Sequence, residues 1–158
     1  MRNITLGLVV LIGLSGAACN DKGKQFAATT DRVAGYVGTG LILVDQYTST
    51  GQMSAETGVA IVTVLRQVNT LNGQLVTEAK TYVQPDGTLA LTGDGQQKLL
   101  AILASSTSIV NTLTNDPRVL ALPDTQKTQI NALVVNLGAT IATLGELVKT
   151  VKLVKGGK

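Results

Sequence analysis

Apolar residues recur at intervals of three and four along four long stretches of this chain, and that interval restricts the fold more than any other feature. The last stretch is the clearest. Ile130, Leu133, Val134, Leu137, Ile141, Leu144, Val148 and Val151 form one stripe, the pattern of a helix with one face turned to a core. Residues 29–49 carry Val33, Val37, Gly40, Leu41, Val44 and Tyr47 on one side and Arg32, Thr39 and Gln46 on the other. Residues 55–83 place Ile61, Leu65, Val68, Asn72, Leu75, Ala79 and Tyr82 in a near-heptad register. Residues 95–114 set Leu99, Ile102, Leu103, Ser106, Ile109, Val110 and Leu113 inward. With the last segment at 124–154, the spacing predicts four helices, each about 30–45 Å long at about 1.5 Å per residue.

The connections between them are short and carry breakers. Ser49-Thr50-Gly51 ends the first segment and Ser54 can cap the second. Gln84-Pro85-Asp86-Gly87 reads as a turn, Thr88 to Leu91 as a brief extended piece, and Gly93-Asp94-Gly95 as a second turn. Asp94 and Gln97 have the spacing of a capping box for the third helix. Asn115-Asp116-Pro117 stops it, Arg118 to Leu122 connects, and Pro123-Asp124 opens the fourth. Four amphipathic helices on short connections predict an all-α fold, an antiparallel up-down-up-down four-helix bundle. Asn72-Gly73 supports a rival reading of residues 59–83 as two strands joined in a hairpin, favoured by their Val, Ile and Thr content. The three/four spacing of Leu65, Val68, Leu75 and Ala79 speaks for the helix.

The N-terminus is of another kind. Met1-Arg2-Asn3 is a short basic start, Ile4 to Leu14 is apolar, and Ser15-Gly16-Ala17-Ala18 is a run of small residues ahead of Cys19. That order predicts a cleaved secretory signal peptide over residues 1–18. The apolar stretch is shorter than the about 20 residues a spanning helix needs. Small residues followed directly by the chain's one Cys resemble the lipobox of bacterial lipoprotein precursors, with Gly16 standing where that family has Leu or a similar residue. The resemblance covers these few residues and implies an acylated Cys19 as the first mature residue. It implies outer-membrane sorting through Asn20 in a host that follows the enteric rule. Asn20-Asp21-Lys22-Gly23-Lys24-Gln25 is polar with no apolar face, which predicts a flexible tether over residues 19–28 ahead of the domain at 29–158.

The remaining chemistry is sparse. The chain has no His, no Trp and one Cys. That removes His-dependent nucleophiles and general bases, His-ligated metals, internal disulfides and multi-thiolate sites. Aromatic residues are 3% of the chain, too few for a base-stacking platform. Asp45, Glu56, Glu78 and Glu146 read as solvated helix charges, with Glu146 spaced to pair with Lys149. Asp86-Gly87 and Gly93-Asp94-Gly95 superficially suggest a calcium loop, but Leu89, Ala90 and Leu91 fill the interval where ligands would stand, and Gln97 falls where a Glu is required. Gly35, Gly38 and Ile42 in the first helix and Gly138, Ala142 and Gly145 in the last suit close packing within the bundle, or a second contact face between molecules.

Lys149, Lys152, Lys155 and Lys158 recur every third residue, and no acid follows Glu146. They could contact an anionic surface; the ordinary reading is cations complementing a helix C-terminus, each worth about 0.3–1 kcal/mol. The sequence therefore predicts an exported, lipid-anchored, non-catalytic interaction or structural module of the bacterial cell envelope. Its implied contacts are the membrane through acylated Cys19 and a protein partner or second copy. No cofactor, metal or specific nucleic acid is expected. The alternative is a membrane-active protein of the phage or toxin-like lysis class that keeps its N-terminal segment as an anchor.

Overall fold

The computed structural model describes residues 21–154. The predicted signal segment (residues 1–18), Cys19, Lys155 and Lys158 lie outside the described residues. Among the described residues the fold is all-helical, with five helices in chain order: α1 Asp21–Ser49, α2 Ala55–Lys80, α3 Gly93–Thr114, α4 Pro117–Leu120 and α5 Asp124–Thr150. No strand forms among the described residues; extended backbone meets only in isolated bridges.

The apolar stripes become the core. Every stripe residue of α5 is buried, and Val151 just beyond it as well. So are Val33, Val37, Val44 and Tyr47 of α1, Ile61, Leu65, Val68, Leu75 and Ala79 of α2, and Leu99, Leu103, Val110 and Leu113 of α3. α1 packs on α2 and α5, and α3 packs on the same two helices. Burying such stripes is the main stabilising force here, at about 1.5–3 kcal/mol for each large aliphatic side chain. Few polar groups enter the core. Buried Thr29, Thr30 and Ser106 donate their hydroxyls to the carbonyls of Gln25, Ala27 and Ile102 one helical turn earlier, which removes the cost of an unpaired buried hydroxyl.

Several boundaries differ from those the sequence predicts. Residues 21–28, expected in a flexible tether, form the first two turns of α1. Phe26 is buried there, and one aromatic ring gives the segment the apolar anchor that its polar neighbours conceal. α2 continues unbroken through Asn72-Gly73 and ends at Lys80 rather than 83, so the hairpin rival is overturned. The Asn72 amide donates to the Thr30 carbonyl of α1 at 3.0 Å, and Gly73 is exposed on the outer side. The hairpin forms one connection later, where Val83 bridges Leu89 around Gly87, whose φ is +79°.

The cap of α3 also differs. Thr92, not Asp94, is its N-cap, its hydroxyl accepting from the Gly95 amide at 3.0 Å, so the helix starts at Gly93 rather than 95. Ser54 caps α2 as expected. The connector after α3 contains the single turn of α4, capped by Asp116. α5 stops at Thr150, four residues short of the predicted 154. The next residues turn extended and lie beside Leu91: the Leu91 amide donates to the Lys152 carbonyl at 3.2 Å and the Val154 amide to the Leu91 carbonyl at 2.8 Å. Leu89 and Leu91, which the sequence places in a brief connector, are among the most buried residues.

Candidate functional site

One end of the molecule gathers the N-terminus of α1, the 82–91 hairpin, the first turn of α3 and the strap after α5. The Lys22 ammonium donates to the Thr150 carbonyl at 2.6 Å, and a Cβ on Gly23 would stand 3.5 Å from the Gly87 carbonyl oxygen. The Gln96 side-chain amide donates to the carbonyls of Val148 and Lys149 at 3.0 and 3.3 Å. The open carbonyls at the C-terminus of α5 thus take donors from two other helices, as helix ends require. A cation at this end also complements the helix dipole.

The lysines expected from the sequence fall partly here. Lys149 is exposed and pairs with Glu146 at 2.8 Å, the expected spacing. Lys152 is exposed on the strap. Lys22 and Lys24 stand at the same end on helical backbone; reading residues 19–28 as tether leaves both out of the basic set. A stronger weight on Phe26 as an anchor at the start of the stripe would find them. Among the described residues, Lys22, Lys24 and Lys152 make no ion pair.

The opposite end holds the other ionic group. Asp116 caps α4 and receives Arg118 through Nε at 3.0 Å and Nη2 at 2.7 Å, a two-pronged pair. That side-chain bond is the main reason the Asp116 carboxyl lies below the usual carboxylate range. Glu56 stands 3.9 Å from the same guanidinium. A shallow furrow between α2 and α3 runs from here past Val59, Val64 and Thr63 toward Arg66, Leu71 and Ile109. Val59 is 66% exposed.

Glu78 pairs with Lys98 at 3.5 Å and accepts from the Tyr82 hydroxyl at 3.0 Å, and Asp45 is exposed. Among the described residues no three His, Cys, Asp or Glu side chains are grouped to hold a metal. Asp86 turns onto the Thr88 amide, and that hydrogen bond lowers its pKa from the ordinary aspartate value. Leu89, Ala90 and Leu91, which fill the interval between the two turns, are buried.

The glycines separate into two groups. Gly35, Gly38, Gly138 and Gly145 have nothing within 4 Å of where a Cβ would stand, so close packing among the described residues does not account for them. The close approaches are elsewhere. A Cβ on Gly40 would lie 2.5 Å from Leu133 Cδ2 and 2.8 Å from Leu65 Cδ1, and one on Gly95 would meet the Tyr82 ring at 2.5 Å.

No family model matches the chain, and no curated protein or solved structure is detectably similar to it. Among the described residues α5 is long and apolar enough to cross a membrane by length and composition. Its apolar stripe is turned into the core.

Proposed function

We propose that the chain is an exported, lipid-anchored, non-catalytic helical module of the bacterial cell envelope, acylated at Cys19. The observation that carries this reading is the chain's lone Cys directly after Ser15-Gly16-Ala17-Ala18 and an apolar segment too short to span. Two acyl chains on Cys19 would give stable anchoring without a spanning helix. The domain would offer its surface to a protein partner or a second copy, on the outer membrane facing the periplasm in a Gram-negative host.

The finer architecture belongs to the same reading: an antiparallel up-down-up-down bundle of α1, α2, α3 and α5. Its support is pairwise. Lys22 meets Thr150 and Tyr47 donates to Gln129, so the start of α1 adjoins the end of α5 and its end adjoins the start of α5. Asn72 to Thr30 and the Gly58–Thr48 approach relate α1 and α2 in the same opposed sense.

The test is the intact mass of the protein from the membrane fraction, with lipid labelling of a Cys19→Ser variant. Cleavage before Cys19 with added acyl mass, and loss of label in the variant, is the expected result. A variant that stays in the membrane with unchanged mass would sink the lipid anchor.

The apolar length of α5 favours a second reading, a membrane-active protein that keeps residues 1–18 as its anchor. Against it, Asn136, Thr140, Thr143 and Glu146 lie along α5, and polar side chains in hydrocarbon are costly. Permeabilisation of dye-loaded vesicles by the full chain would favour this second reading; intact vesicles would count against it.

A further inference from the structure

We propose that the end of the domain formed by the start of α1 and the strap after α5 is a docking face for anionic lipid headgroups, with Lys22, Lys24, Lys149 and Lys152 as its contacts. The proposal rests on attachment of the chain to a membrane ahead of Asp21, through the acylated Cys19 proposed for its function. It adds how the domain stands on that membrane.

Two observations carry it. The first is the length of chain between anchor and fold. Regular helix begins at Asp21, two residues after Cys19. Two residues of fully extended chain reach only about 7 Å. The helix is also fixed to the domain from its first turn, through Lys22 on the Thr150 carbonyl, Gly23 against the 87–89 backbone, and buried Phe26. A domain joined in this way has no tether on which to swing. Whatever holds Cys19 at a bilayer holds this end of the domain within about a Debye length, 8–10 Å, of the headgroups.

The second observation is the charge presented there. Lys22 and Lys24 stand on the first turn of α1, Lys149 on the last turn of α5 and Lys152 on the strap, all at the end of the molecule where Lys22 meets the Thr150 carbonyl. Only Lys149 has an acidic partner among the described residues, the exposed Glu146. Asp21, Glu78, Asp86 and Asp94 share this end of the molecule: Asp21 opens α1, Glu78 pairs with Lys98, Asp86 is turned onto the Thr88 amide, and Asp94 stands on the first turn of α3. Lysines held near an anionic leaflet are attracted to it, and salt weakens that attraction. The opposed end offers no such field: Arg118 is engaged by Asp116 and Glu56, and Lys127 lies near Asp124.

The experiment is lysine acetylation footprinting of the full-length protein, isolated as the cell makes it. It is bound to vesicles of phosphatidylcholine alone, or of phosphatidylcholine and phosphatidylglycerol in equal parts. Lys127, at the far end, is the internal reference. In phosphatidylglycerol vesicles, acetylation of Lys24 and Lys152 should fall several-fold relative to Lys127, and high salt should restore it. The double variant Lys24→Gln/Lys152→Gln, both exposed positions, should lose most of the remaining protection at Lys149. Equal labelling of Lys24, Lys152 and Lys127 on anionic vesicles would overturn the docking face. So would protection that is the same on neutral vesicles. Intact mass of the same sample separates the two claims: acylated protein with unprotected lysines removes the docking face and leaves the anchor. Protected lysines on unacylated protein remove the lipid anchor and leave the face.

Discussion

The Lys22 ammonium lies 2.6 Å from the carbonyl oxygen of Thr150, 128 residues later in the chain, and joins the first turn of α1 to the last turn of α5. The contact is a charge-assisted hydrogen bond to a helix C-terminus, so it combines a local bond with dipole compensation. Lys22→Met should lower stability by about 0.3–1 kcal/mol in urea unfolding at low salt. The difference should shrink as salt is raised. A loss that salt leaves unchanged would mean the short-range hydrogen bond to the Thr150 carbonyl, not the charge–dipole attraction, does the stabilising.

The glycines of α1 should answer oppositely to one substitution. At Gly38 a Cβ meets open space, so Gly38→Ala should stabilise by about 0.5–1 kcal/mol through helix propensity and lost unfolded-state freedom. In a chain of this size that raises Tm by about 2–4 °C per kcal/mol. At Gly40 the same methyl collides with Leu133 and Leu65, both buried. Overpacking of that kind costs about 1–3 kcal/mol. Thermal melts should therefore place Gly38→Ala above the parent and Gly40→Ala below it.

Asn72 should be the most expensive polar side chain to remove from the α1–α2 seam. Its amide reaches the Thr30 carbonyl, a bond with a net worth of about 0.5–1.5 kcal/mol. Asn72→Ala should show that loss in denaturant midpoint. The helix itself should persist, since Ala is the better helix former, and circular dichroism of the variant should match the parent.

The acid limb of the stability curve should carry the mark of Asp116. Arg118 holds the folded-state pKa of Asp116 below its ordinary value. The folded state therefore binds fewer protons than the unfolded one near that pKa. The stabilisation is complete above about pH 4–5, past the unfolded value, and is lost as pH falls through the depressed folded value. Asp116→Asn should flatten that limb between about pH 5 and pH 3 in urea titrations. An unchanged slope would show that the pair contributes nothing measurable, as many exposed pairs do.

Leu91 is wholly buried, and its backbone holds both hydrogen bonds to the strap. Leu91→Ala should cost about 2–5 kcal/mol. Hydrogen exchange at the amides of Leu91 and Val154 should accelerate together in that variant, because one register supplies partners to both.

The stripes on α1, α2, α3 and α5 are readable because burial on a helix imposes a period, and a period survives in a list of letters. Nearly all the residues assigned inward are inward, and the exceptions such as Leu41, Ile102 and Ile109 are half-buried at stripe edges. What a list of letters hides is whatever depends on a partner far along the chain. Residues 21–28 look like linker because their apolar content is small, with Phe26 its one large side chain; only the neighbouring hairpin and α5 make them a helix start. Leu89 and Leu91 have no period to betray them, since the strap bridged to Leu91 lies some sixty residues later. Thr92 is easily overlooked as a cap because Asp94 sits at a more familiar spacing, although the choice between them depends on which side chain reaches the Gly95 amide. For the candidate site, Lys149 and Lys152 of the proposed docking face are visible as part of a run at the C-terminus. Lys22 and Lys24 lie inside the segment whose polarity disguises its helix.

Pairing α1 with α5 and the strap with Leu91 also sets an order of events. While the chain is being made, one flank of α1 stays uncovered until residues 124–150 exist, and the backbone groups of Leu91 wait for residues 152–154. Non-local closure of this sort delays the final step of folding. A growing chain of this design stays incomplete until α5 and its strap have been synthesised.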